Sequence, residues 1–239
     1  MIDRIGSATL HLGDALEILT TLERGVFDAL IADPPYCSGG TTAGERIAVP
    51  SRKYQTSSDR GLYPEFAGDT MDQRSFYAWS TLWLSRARAA VRPGGIAAVF
   101  SDWRQLPVTT DALQAAGWIW RGIAVWDKTE RCRPQLGRYR QQAEYVVWGT
   151  NGPRPLAGPV APGVLRAGVP RFKRHIAGKP IEVMEGLLAV VDGPVLDPFM
   201  GSAPVGLACA RRGLAYLGIE VVPEIYRIAV DRLTAGPDA

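Results

Sequence analysis

The segment Ala29-Leu30-Ile31-Ala32-Asp33-Pro34-Pro35-Tyr36 decides how this chain folds. Four apolar residues in a row read as a buried strand, the kind found in sheets covered by helices on both faces. The run stops abruptly at an acid, two prolines and an aromatic. Each proline keeps the residue before it out of the helical region, so Asp33 and Pro34 are expected to be extended, and the prolines offer carbonyl oxygens with no N–H of their own. The strand therefore ends in a stiff hook that presents a carboxylate, a carbonyl oxygen and a flat ring side by side.

Working outward, Phe76, Trp79, Trp83, Ala87 and Ala90 recur at helical spacing, Pro93-Gly94-Gly95 closes that helix, and Ile96-Ala97-Ala98-Val99-Phe100 is the next strand. This is a crossover of the parallel kind. A helix over about residues 104–116 stops at Gly117, and the strands at 118–126 and 143–148 follow each other without a helical crossover, as an antiparallel pair does. Upstream of the hook, Gly13-Asp14-Ala15-Leu16-Glu17-Ile18-Leu19 opens on a turn residue and an acid suited to a helix N-terminus. Downstream lie a helix entered at Pro180, the short strand Val195-Leu196, the turn Asp197-Pro198-Phe199-Met200-Gly201-Ser202, and an Ala-rich helix ended by Gly213. A strand ending at Glu220 and a helix with Ile225, Ile228, Ala229 and Leu233 on one face complete the series. The alternation predicts one α/β domain over residues 1–239. Its sheet is expected to be doubly wound, Rossmann-like and mostly parallel, with about seven strands and one antiparallel hairpin at an edge.

Composition narrows the function classes. Hydrophobic residues at 46% and charged residues at 21% exclude a disordered chain, and no apolar run is long enough to cross a bilayer. Met1-Ile2-Asp3-Arg4 does not lead into a signal-peptide apolar region. Cys37, Cys132 and Cys209 are odd in number and lack metal-type spacing, which fits a reducing cytoplasm and argues against a disulfide framework or structural zinc. No metal and no membrane are expected.

The net charge of +3 is mild, and its distribution says more than its size. Residues 37–72 lose periodicity and read as a mobile loop just after the hook, with Arg46, Arg52, Lys53, Tyr54 and Arg60 mixing cations with an aromatic. Two further segments, 128–142 and 150–174, hold long stretches of cations without acids; their foremost candidates are Arg138, Arg140, Arg171, Lys173 and Arg174. Such stretches usually face something anionic, and double-stranded DNA is the expected partner. Whether two chains pair into a homodimer is left open.

Two acceptors close together suit a donor with two hydrogens on one nitrogen, and a flat ring suits a planar partner. An amino-substituted nucleobase supplies both. In the tail, the small-residue turn at Gly201-Ser202 lets backbone N–H groups approach a ligand, and an acid at a strand tip such as Glu220 can accept both hydroxyls of a ribose. These pieces, namely D-P-P-Y at 33–36, G-D-x-L-x-x-L at 13–19, Lys179-Pro180 behind His175, D-P-F-x-G-S at 197–202 and G-x-E at 218–220, together resemble the N4/N6 DNA amino-methyltransferases. The hook precedes the cofactor half, as in the permuted group called beta, and the resemblance runs from Gly13 to Leu233.

The resemblance implies a methyltransferase sheet, S-adenosylmethionine as cofactor, and restriction-modification methylation of a base flipped from DNA. Asp33, Pro34, Pro35 and Tyr36 would be catalytic. Asp14, Asp33, Lys179, Asp197, Phe199, Gly201, Ser202 and Glu220 would face the cofactor, Asp14 near its adenine. Adenine N6 is the favoured target because the family's cytosine members more often begin the hook with Ser; cytosine N4 and a binding-only homologue with a defective cofactor site are the alternatives. Protein-glutamine methyltransferases usually begin the motif with Asn. Two departures stand out: Gly201-Ser202-Ala203-Pro204-Val205 replaces the usual G-S-G-T-T, and His175-Ile176-Ala177-Gly178-Lys179-Pro180 replaces H-P-T-x-K-P. Ser202 is expected to cap the following helix with Pro204 in its first turn, and no cofactor contact is carried over to residues 203–205.

Overall fold

The computed structural model describes residues 1–37, 71–132, 134–169 and 179–236. Residues 38–70 of the expected loop, with its four named cations and Tyr54, lie outside the described residues, as do Arg171, Lys173, Arg174 and His175.

The described strands are β1 (Ile2–Ile5), β2 (Ala8–Leu12), β3 (Phe27–Ala32), β4 (Val91–Ser101), β5 (Ile119–Asp127), β6 (Ala143–Thr150), β7 (Val164–Arg166), β8 (Val195–Asp197) and β9 (Tyr216–Glu220). The helices are α1 (Ala15–Leu19), α2 (Gln73–Ala90), α3 (Leu106–Ala115), α4 (Ile181–Leu187), α5 (Pro204–Arg211) and α6 (Pro223–Ala235). All nine strands join one sheet in the order β1-β2-β9-β8-β3-β4-β6-β5-β7. β2, β9, β8, β3 and β4 run parallel, while β6 is antiparallel to both β4 and β5.

This is the mixed α/β sheet that the alternation predicts, with two corrections. Among the described residues it has nine strands rather than seven, and the β5–β6 hairpin is not at the edge, because β7 pairs in parallel with β5 outside it. An antiparallel hairpin does form the other edge, from β1 and β2. Both discrepancies come from short or half-exposed strands. β1 buries none of its four residues fully, β2 buries two of its five, and β7 has three residues.

The central strand explains the rest. All six residues of β3 are buried, and their side chains alternate between two cores. Ala29 and Ile31 join Ala98, Phe100, Met184, Leu188, Val205 and Ala229 beneath α4, α5 and α6. Leu30 and Ala32 join Val99, Trp83, Leu84, Ala112 and Leu113 beneath α2 and α3. Asp28 interrupts the apolar run, and its Oδ2 accepts from the backbone N–H groups of Asp192 and Gly193 at 2.9 and 3.2 Å while Oδ1 pairs with Arg92. A buried carboxylate is tolerated only with partners of this kind. No helix among the described residues is long and apolar enough to cross a membrane.

Parallel pairing of Leu30 with Leu196 on one side and of Ala32 with Val99 on the other aligns the C-terminal ends of β8, β3 and β4. β9 and β2 continue the same edge. Ligands of open α/β sheets bind outside such an edge.

Candidate active site

Asp33 follows directly on β3 and points into a cluster of charge. Its Oδ1 and Oδ2 accept hydrogen bonds from Lys179 Nζ at 2.8 and 2.6 Å, and Oδ1 also accepts from the Tyr36 hydroxyl at 2.5 Å. The chain thus turns back on itself within the hook, so that the ring three residues on holds the acid at the strand tip. Cys37, just beyond, adopts a left-handed backbone with φ of 56°, which helps the chain reverse. Burial pushes the Asp33 carboxyl above its usual range, Lys179 opposes that shift, and Glu144 adds to it. Burial also works against the Lys179 charge, but the carboxylates of Asp33 and Glu144 outweigh it and hold the ammonium firmly protonated. Burial and the nearby Asp33 raise the Tyr36 phenol well above its ordinary value, so it acts as a donor.

The second half of the site is built from β8, β9 and the turns after them. Glu220 ends β9, and its two oxygens accept from the Gly201 and Val222 amides at 3.1 and 2.9 Å. Those bonds fix the carboxylate on the turn that enters α5. Gly201 has φ of 52° and Ala203 φ of 56°, two left-handed residues in a three-residue turn. Glycine adopts this without cost, whereas Ala203 is strained and is held by full burial. Gly13 N–H donates to Glu220 O at 2.9 Å, which brings the start of α1 beside the same strand tip. Asp14 caps α1 by accepting from Glu17 N at 3.2 Å. Phe199 is half-buried, its ring 5.3 Å from Trp79 and 5.0 Å, edge-on, from Trp83.

Asp197 underlies this turn. It is 2% exposed, accepts from Tyr216 Oη at 3.0 Å and from Phe199 N at 3.2 Å, and burial pushes its carboxyl up to about 8. The folded protein therefore keeps a proton here that the unfolded chain loses near the ordinary carboxylate range. A raised acid contributes stability in full below its unfolded pKa, and that contribution disappears as pH rises through the folded value. Wild-type stability is expected to fall by roughly a few kcal/mol from this group between about pH 4 and about pH 8. Asp197→Asn, which cannot ionise, should flatten that slope in thermal melts; an unaltered slope would assign the titration to another group.

Several expected site residues are thus brought together. Asp33, Pro34, Pro35 and Tyr36 form the hook, and Phe199, Gly201 and Glu220 form an adjoining cradle. Lys179 is found on Asp33, so it belongs to the hook rather than to the cradle. Ser202 is not the helix cap, for Ala203 occupies that position and the Ser202 hydroxyl accepts from Arg232 Nη1 at 2.8 Å; Pro204 does fall in the first turn. Among the basic residues, Arg138 is exposed in the loop between β5 and β6, but Arg140 donates to Glu130 O and Cys132 O, both at 2.8 Å. Arg154 donates to Gly94 O and Val190 O, and Arg166 pairs with Asp127 and Glu130. Acids absent from a basic stretch of sequence are supplied across the fold. Glu144 was not foreseen at the site; one oxygen lies 3.2 Å from Lys128 Nζ and the other 3.7 Å from Lys179 Nζ. A lone acid at the start of an apolar strand, Ala143-Glu144-Tyr145-Val146-Val147, is the one signal the sequence carries for it.

A Rossmann-like sheet whose edge joins a carboxylate hook to a glycine turn and a strand-tip glutamate is the α/β architecture that the motifs predict. Comparison with known proteins gives the particular kinship. No family model matches the chain. The type II methyltransferase M.Cfr9I of Citrobacter freundii is 26% identical, with 96% of this chain and 88% of that protein aligned. M2.DpnII of Streptococcus pneumoniae, also a type II methyltransferase, is 22% identical over 93% of this chain and 88% of its own length. Among solved structures, M1.HpyAVI in complex with SAM matches with a TM-score of 0.66 at 22% identity, covering 95% of this chain and 98% of its own. The PvuII DNA methyltransferase (cytosine-N4-specific) matches with a TM-score of 0.70 at 14% identity, over 96% and 89%. The resemblance to the DNA amino-methyltransferases that the motifs carry is therefore supported along nearly the whole chain.

Proposed function

We propose that this chain is an S-adenosylmethionine-dependent DNA methyltransferase acting on an exocyclic amine, N6 of adenine in preference to N4 of cytosine. The observation that carries the reading is the shared sheet edge. Asp33, at the tip of β3, stands two strands from Glu220, at the tip of β9, with β8 between them.

The residues present fit the cofactor. A nucleoside needs an acceptor for its ribose diol and a wall for its purine; Glu220, fixed by two backbone amides, and Phe199, backed by Trp79 and Trp83, supply these. Gly201 admits the ligand to the turn without a side chain, and Asp14 flanks the same tip through its neighbour Gly13. When bound, S-adenosylmethionine would supply a methyl group on a sulfonium, a good leaving group.

The chain's own residues prepare the acceptor. The lone pair of an aromatic amine is delocalised into the ring, so the nitrogen is planar and a poor nucleophile. Asp33 and the Pro34 carbonyl each accept one amine hydrogen, which favours a pyramidal nitrogen with its lone pair out of conjugation. Tyr36 offers a ring face to a base flipped out of the duplex, compensating for lost stacking. The methylated nitrogen sheds one proton, and the Asp33 carboxylate is the nearest acceptor. Asp at position 33, where the family's cytosine members more often carry Ser, favours adenine. The test is to incubate purified protein with DNA and cofactor tritiated in its methyl group, then digest the product to nucleosides. N6-methyladenine is the expected product; N4-methylcytosine would overturn the choice of base, and no label in DNA would overturn the function.

DNA is held by the loop at 37–72 and by the basic segments 128–142 and 150–174. Arg138 is the described candidate, with Arg171, Lys173 and Arg174 beyond the described residues. Changing those last three together to Ala is expected to flatten the dependence of log affinity on log salt, by about 0.9 for each phosphate that these side chains no longer neutralise. An unchanged slope would make that stretch an ordinary solvated surface.

A further inference from the structure

Lys179 is enclosed between two carboxylates that come from different parts of the sheet. Its side chain is 5% exposed; Nζ bonds both Asp33 oxygens and lies 3.7 Å from Glu144 Oε2. Glu144 belongs to β6, the antiparallel neighbour of β4, and its Oε1 faces Lys128 Nζ at 3.2 Å. The rings of Tyr36 and Phe100 stand 5.3 and 5.2 Å from the same ammonium. Lys179 thus has an aromatic lining and two anionic contacts.

In this arrangement Asp33 is engaged on both oxygens. A target amine that bonds Asp33 in this state shares the carboxylate with the ammonium, and it gains the whole of the charge only if Lys179 yields. Leaving a buried ammonium without a counter-charge is costly, so release needs a second anion close by. Keeping the ammonium on Asp33 is also unfavourable, because the amine nitrogen gains positive charge as it is alkylated and a cation on the same carboxylate opposes it. Glu144 lies within reach of a small change in the lysine side chain.

We propose that Glu144 is a positioning residue that takes over the Lys179 ammonium when a target amine engages Asp33. This rests on the methyl-transfer reading given above. Lys179 moves between two carboxylates, Lys128 balances the charge of Glu144, and Asp33 is released with no charge bared. The groups that bear on Asp33 are Lys179, Tyr36 and Glu144, with Asp102 acting on Tyr36 and Asp197 at the tip of β8 sensing Asp33.

Glu144→Gln keeps the size of the side chain and removes its charge. With saturating DNA, this variant is expected to lose about 10- to 100-fold in kcat, the scale of a misplaced reacting group, while KM for the cofactor stays within about threefold of wild type. The acid limb of its pH–rate profile should move to lower pH, because Asp33 loses a nearby anion and keeps the whole of Lys179. Glu144→Asp should restore part of the rate. In a Lys179→Met background, Glu144→Gln should have no further effect on kcat. Wild-type kcat in Glu144→Gln, or losses that simply add in the double variant, would overturn the proposal. Carbon-13 NMR of the Asp33 carboxyl in the protein alone reads the same charge sharing without turnover: a lower pKa in Glu144→Gln supports it, and an unchanged pKa overturns it. Wild-type protein that labels no DNA would overturn the parent reading, whereas an active wild type with an unaffected Glu144→Gln overturns this inference alone.

Discussion

Asp33→Ala is expected to retain most of its affinity for S-adenosylmethionine and to lose methyl transfer by about two to three orders of magnitude, the usual effect of deleting one preorganised polar contact at a reacting group. The proposed cofactor cradle of Phe199, Gly201 and Glu220 shares no hydrogen bond with Asp33, which is why binding should survive. The fold should survive as well, since Glu144 remains as a counter-ion for Lys179 at 3.7 Å. Asp33→Asn is the sharper companion, because it keeps the shape and one acceptor but cannot balance the ammonium or take the proton. Single-turnover transfer of tritiated methyl groups to DNA measures the effect. Equal transfer with Ala at position 33 would make the hook structural and the mechanism wrong.

The second large effect belongs to Glu220. A carboxylate accepting both hydroxyls of a ribose makes charge-assisted bonds, and a neutral amide replaces them poorly. A net loss of about 1.5–3 kcal/mol for hydrogen bonds to a charged group corresponds to roughly a 10- to 100-fold weaker Kd. Glu220→Gln should show this in calorimetric titrations with S-adenosylhomocysteine, with a thermal midpoint close to wild type. Glu220→Ala should weaken binding similarly, but it also strips the acceptor from the Gly201 and Val222 amides, so the Gln variant separates binding from folding. Unchanged affinity in both variants would remove Glu220 from the cofactor site.

How much of this was readable in advance depends on how local the cause is. The hook and its strand were legible because proline geometry and an apolar run act within a few residues. The long helix at Gln73–Ala90 was legible from its spacing, with Phe76, Trp83 and Ala87 all buried. The outer strands were not, since β1 and β7 bury little and give no strong period. Ala203 in a left-handed turn runs against residue preference, so Ser202 looked like the cap until tertiary packing overruled it. Charge was the least legible feature. Arg166 lies in a stretch free of acids yet meets Asp127 and Glu130 from β5 and the turn after it, and Lys179 finds Asp33 across 146 positions of sequence. Counting signs along a chain cannot reveal partners that only the sheet brings together.

Because β3 is buried over its whole length and feeds both cores, the hook hangs from a part of the molecule that is among the last to open. Amides of Leu30 and Ile31 should exchange with solvent deuterium only through global unfolding, while those of β1 exchange through fraying of a half-exposed edge. The outer strands can therefore breathe on a fast timescale without displacing the carboxylate at position 33, so accuracy at the reacting atoms does not require rigidity at the rim.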